Sequence, residues 1–109
     1  MIQDLLQKWS DLEPSRCNRN SVAYWIKVKP SGYSLPLQNM TSIDWAMLQS
    51  AVFEAIVDRN LRSRLENNGA GWFAVVRAVD QAHLTIQHDV EPAIALLKAY
   101  VRWLEEARR

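Results

Sequence analysis

Two histidines, one cysteine and three carboxylates with helical spacing are the side chains in this sequence that could carry a reaction. His83 and His88, joined by Asp89, have the makings of a metal or acid–base group. A protein-held catalytic zinc takes three convergent ligands. A separation of five residues puts the two imidazoles on opposite faces of a strand, and Asp89 is placed to cap the helix that follows. Cys17 stands between Arg16 and Arg19, where two guanidinium groups would lower a thiol pKa and favour a thiolate. A nucleophile also wants a base at hand, and no histidine is close in sequence. Asp44, Glu54 and Asp58 share one strip of a helix, which reads as a solvated polar face, since paired-carboxylate chemistry would need a cleft that the sequence does not show. Gly69-Ala70-Gly71 precedes a strand rather than a helix, so it reads as a turn and not a phosphate cradle. The expectation is a non-enzymatic protein with no catalytic residues, no metal ligands, no cofactor and no small-molecule substrate.

Binding chemistry is more plainly written. Between residues 14 and 40 the cations Arg16, Arg19, Lys27 and Lys29 meet no acidic residue, and Tyr24, Trp25 and Tyr33 are interleaved with them. Basic groups beside stacking aromatics are what single-stranded nucleic acid requires. Arg62, Arg64 and Arg77 extend this patch if their strands are neighbours and if Lys27 and Lys29 share that sheet face. The five tryptophans point elsewhere. Trp9, Trp45 and Trp72 fit core positions, but Trp25 shares a strand face with the lysines and Trp103 lies at the edge of its helical arc. With Tyr24 they form a candidate partner interface, since rim aromatics are enriched in protein contacts.

These residues must be held by elements that the periodicity outlines. Ile2, Leu5, Leu6, Trp9 and Leu12 recur at helical spacing, and Pro14 ends that helix near residue 13. Residues 22–29 alternate as a strand, with Tyr33 to Leu37 returning after Pro30-Ser31-Gly32 as a short edge strand that tolerates Pro36. Thr41 and Asp44 form a capping box for a helix over 42–59 whose buried arc holds Trp45, Leu48, Ala51, Val52, Ala55 and Ile56, widened by Phe53 and Val57. Residues 61–66 read as a half-buried strand closed by a turn at Asn67-Asn68-Gly69, extending to Gly71. Strand 72–79 is apolar on both faces apart from Arg77, a pattern that implies cover on both sides. In strand 83–87, Leu84 and Ile86 oppose His83, Thr85 and Gln87. The last helix, 90–107, starts at Asp89 and turns Val90, Ile94, Leu97, Tyr100, Val101 and Leu104 inward.

The sum is an α+β fold, α-β(β)-α-β-β-β-α. One antiparallel sheet of three to five strands carries two long helices on one face and an N-terminal helix over part of the other. At 109 residues and 49% hydrophobic, the chain reads as a single domain, with residues 1–13 a helix, 14–40 a strand and basic loop, and 41–109 the α-β-β-β-α core. A net charge of +1 supplies no global field for nucleic acid or membrane. A single cysteine excludes an internal disulfide and, with no basic leader or long apolar run, points to the cytosol and to no membrane partner.

Residues 72–107, WFAVVRAVDQ…HDVEPAIALLKAYVRWLEEA, resemble the strand-and-helix end of HicB-type antitoxins. They lack the glycine-rich segment that family carries between its strands. Residues 42–107 resemble small phage-type α-β-β-β-α sandwich proteins. The resemblance implies a bacterial or phage-like protein, and the rim aromatics a regulatory one that binds a protein partner or itself as a homodimer. Its alternative is an antitoxin-like nucleic-acid-binding role for residues 16–29.

Overall fold

A computed structural model of the chain describes residues 2–36, 38–79 and 82–108. Its elements run α1 (Ile2–Leu12), β1 (Cys17–Arg19), β2 (Ala23–Val28), β3 (Ser31–Pro36), α2 (Ser42–Asp58), β4 (Leu61–Asn67), β5 (Trp72–Ala78), β6 (Leu84–Asp89) and α3 (Pro92–Ala107). The α+β class and the order of elements follow the periodicity, with β1 added between the first helix and the first expected strand. The strands do not form one sheet. They divide into two antiparallel three-stranded sheets, β1-β2-β3 and β4-β5-β6. The end of the return strand at Leu37 lies outside the described residues.

Local chemistry explains most boundaries. Thr41 accepts from the Asp44 amide, and Asp44 Oδ2 accepts from the Thr41 amide at 2.7 Å, so the shorter acid closes the capping box that starts α2. Asn60, with φ +59°, stops that helix in the left-handed region that asparagine tolerates. The β4–β5 turn runs on to Gly71, whose carbonyl accepts from the Asn68 amide, while Gly69 takes φ +88°. Helix α3 is capped by Glu91 and not by Asp89, because Glu91 is the extended residue directly before Pro92. Asp89 instead closes a turn by accepting from the Glu91 amide at 2.9 Å, and Val90 is left exposed.

Helix α3 is the centre of the molecule. It lies on one face of β5 and β6, with α2 and α1 against its other sides. Helix α2 also touches β2 and β4, and α1 packs on β1, so the helices are held between the two sheets. The buried side chains join into one cluster led by Trp9, Tyr24, Tyr100, Leu6 and Ile26. Trp9 meets Tyr100 edge to face, with ring centroids 6.4 Å apart. At full burial each such side chain contributes on the order of 2 kcal/mol.

Three expectations about burial are corrected. Helix α1 packs on α3 and β1 and does not cover the second face of β4-β5-β6. Strand β5 is therefore covered on one side only, by way of Ala74, Val76 and Ala78. Phe53 and Val57 are 53% and 55% exposed, because α2 already buries one face against α3 and turns these two positions outward. No helix among the described residues is long and apolar enough to cross a membrane.

Candidate interaction surface

The residues with catalytic chemistry are drawn apart or put to structural use. Cys17 is buried, its Sγ lies 3.6 Å from the Leu6 carbonyl, and burial pushes its thiol up to about 12. That is an inert thiol and not an arginine-activated thiolate. His83 Nε2 lies 2.7 Å from Glu106 Oε1 of α3, while His88 tilts against Phe73 with ring centroids 5.9 Å apart. Among the described residues no three His, Cys, Asp or Glu side chains are grouped to hold a metal ion.

The three carboxylates of α2 are not a solvated strip. Each bonds a different part of the first sheet. Asp44 is buried and accepts from Tyr33 Oη of β3 at 2.6 Å; this bond and those from Thr41 hold its carboxyl below the usual range. Glu54 accepts from the Lys29 amide just after β2. Asp58 accepts from Arg16 just before β1 at 2.6 Å, and Arg16, helped by Lys29 and Lys27, lowers its pKa.

These contacts commit one of the four cations expected over residues 16–29, Arg16, and bring two acids close to the segment. The segment meets no acid in sequence, yet α2 delivers Glu54 and Asp58 to it in space. Arg16 is tied to Asp58, and Arg19 lies over the Tyr24 ring at 5.8 Å. Lys27 and Lys29 are exposed but follow the first sheet, whereas Arg62, Arg64 and Arg77 belong to the second. The two groups do not share a sheet face.

The aromatic interface candidates fare similarly. Tyr24 is corrected outright, since it is 1% exposed and its hydroxyl reaches Gln7 Oε1 and the Gln3 carbonyl of α1. Trp25 is half-buried because its indole folds over Gly32, where a Cβ would meet Nε1 at 1.8 Å. Trp103 is half-buried against the core, and its Nε1 finds no acceptor among the described residues. Of the sequence candidates, only Arg62, Arg64 and Arg77 are brought onto one surface, the outer face of β4 and β5.

The sequence reading missed the apolar residues that complete this surface. The registers of β4, β5 and β6 set three rows side by side on the face turned away from α3: Arg62–Arg77–Leu84, Arg64–Val75–Ile86 and Glu66–Phe73–His88. Leu84 is 42% and Ile86 50% exposed, while Val75 and Phe73 are half-buried by their neighbours alone. Arg64 pairs with Glu66, which raises the pKa of the arginine and lowers that of the acid. Arg62 and Arg77 stand directly opposite one another and form no ion pair with any described residue. Like charges placed so are mildly destabilising.

The inner side explains how this arises. Thr85 of β6 points inward, is buried, and donates to the Ala99 carbonyl of α3 at 2.6 Å. Ala99 is small enough to admit it. Strand β6 therefore turns its polar residue into the core and its two aliphatic residues out, the reverse of what hydrophobicity alone would choose. The alternation in 83–87 was the available signal, and only its direction was ambiguous.

One groove competes for attention. A space of about 650 Å³ between α1 and α3 is floored by Ile2, Leu5, Trp45 and Ile94. Its rim mixes signs, and the cations Lys98 and Arg102 are committed to Asp89 and Glu106.

No protein-family model matches the chain, and no curated protein or solved structure matches it. Function has therefore to be read from geometry.

Proposed function

We propose that this chain is a small, non-enzymatic cytosolic protein that acts by binding another protein, in a regulatory or assembly role. The contact surface is the outer face of β4-β5-β6. The inverted burial of β6 carries this reading, with Thr85 inside and Leu84 and Ile86 outside. A sheet in an isolated domain gains by turning its apolar residues inward. One that presents Val75, Ile86, Leu84 and Phe73 together to solvent keeps that surface for a partner, at roughly 25 cal/mol per Å² covered.

A nucleic-acid-binding role is the second reading, and one observation favours it: three arginines and the Phe73–His88 pair share this face. The cations of segment 16–29 belong to the other sheet and are not part of this face.

The test places a photo-crosslinking residue at Leu84, on the rim of the patch, in cells. The expected result is a discrete protein adduct that unlabelled wild-type chain competes away and an Ile86→Asp chain does not. Equal competition by the two chains would remove this face from function. An adduct to nucleic acid in place of protein would install the second reading.

A further inference from the structure

We infer that the partner, on the reading just given, meets this face with an acidic amphipathic segment, most simply one helix laid across the three strands. Size is the first argument. Three strands spaced about 4.8 Å apart, each about 20 Å long, offer roughly 300 Å². A stable protein dimer buries about 800 Å² on each side. The face is too small for a second copy of the chain but matches one helix, whose diameter with side chains is about 10 Å. The inner face of the same strands gives the scale, since α3 covers β5 and β6 while α2 meets only the edge strand β4.

Charge is the second argument. The outer face carries Arg62, Arg64 and Arg77 against Glu66, three cations to one anion, in a chain whose net charge is +1. Two copies meeting face to face would bring both excesses together. Because Glu66 occupies Arg64, the guanidinium groups left for a ligand are Arg62 and Arg77, adjacent across the ladder. Their mutual repulsion is relieved by a carboxylate set between them, which both forks can engage.

The third argument is the nature of the apolar groups. Single strands of nucleic acid stack on aromatic faces. Here the apolar groups are Val75 and Ile86 of one row and Leu84 of the next, with Phe73 already turned toward His88. Aliphatic groups beside arginines fit a helix with leucines or isoleucines on one side and glutamate or aspartate along its flank.

The test titrates the intact, isotope-labelled chain with three synthetic amphipathic peptides that share one Leu/Ile face and bear Glu, Gln or Lys on the flanks. A short oligothymidine serves as the fourth probe. The expected result is movement of the Val75, Arg77 and Ile86 amide signals, with the Glu peptide binding about tenfold more tightly than the Gln peptide. That preference should fade in high salt and vanish in Arg62→Gln/Arg77→Gln, two exposed changes that leave the core intact. Equal binding of Glu and Gln peptides would overturn the acidic partner while leaving the face as the contact surface. No peptide moving those amides would overturn both. Displacement of the peptides by oligothymidine at the same amides would replace the protein partner with nucleic acid.

Discussion

Tyr100 donates a 2.7 Å hydrogen bond to Glu13 across 87 positions of sequence, and the same carboxylate accepts from Trp9 Nε1 at 3.0 Å and Arg59 Nε at 2.8 Å. One buried acid thereby joins the end of α1, the C-terminal cap of α2 and the middle of α3. Burial first, and the Glu13 carboxylate second, push the Tyr100 phenol up. Glu13→Ala leaves two buried donors without an acceptor, although Arg59, 43% exposed, can turn to water. The expected loss is about 2–3 kcal/mol, read from urea unfolding, with Tyr100→Phe costing about 1–2 kcal/mol. Equal stability of Glu13→Ala and wild type would mean that this network does not hold the helices together.

The two faces of β6 should respond oppositely to substitution. Thr85→Val keeps the shape and removes the donor to the Ala99 carbonyl, for an expected cost of about 1 kcal/mol. Ile86→Lys, on the exposed side, should change thermal stability by less than about 0.5 kcal/mol. A large loss at Ile86 with none at Thr85 would reverse the assigned faces.

Asp44 gives the fold an acid dependence whose sign is set. Its folded pKa lies below the unfolded value of about 3.9, through the bond from Tyr33 and then those from Thr41. The stabilisation is therefore fully present above the unfolded value and is lost as pH falls through the folded one. Asp44→Asn should be least stable relative to wild type near neutrality, and the gap should narrow below about pH 4. Chemical denaturation across that range reads it, and a constant gap would exclude ionic stabilisation at this site.

Cys17 should resist thiol reagents at pH 8 in the folded chain and react rapidly in denaturant, since its thiol is buried and raised to about 12. Rapid labelling of the native protein would require that α1, whose Leu6 carbonyl faces the sulfur, opens readily.

The elements were legible because their signals are local: helical spacing from Ile2 to Leu12, the Thr41–Asp44 cap, alternation in β2, and the glycine turn before β5. Their assembly depended on contacts that leave no local trace. The acid-free run from 14 to 40 looked like a charged surface because Glu54 and Asp58, its partners, are 25 and 42 positions away from Lys29 and Arg16. Phe53 looked buried because helix α2 is apolar over most of its circumference, and the choice of face was made by α3. Strand β1, at three residues, is too short to show a period. The apolar residues of the outer face escaped notice for a different reason: alternation in β6 identifies two sides but does not say which one a helix will cover. Thr85 decides it, through a hydroxyl that answers one particular carbonyl.

The thin second sheet separates two tasks that most small domains must compromise between. Its α3 side holds the fold, and its solvent side, with Leu84, Ile86, Arg62 and Arg77, contributes little to holding the chain together. Substitutions on that side are cheap for folding. The nine residues of the three rows can accordingly be rewritten as a set, by natural drift or by design, to exchange one partner for another on an unchanged scaffold.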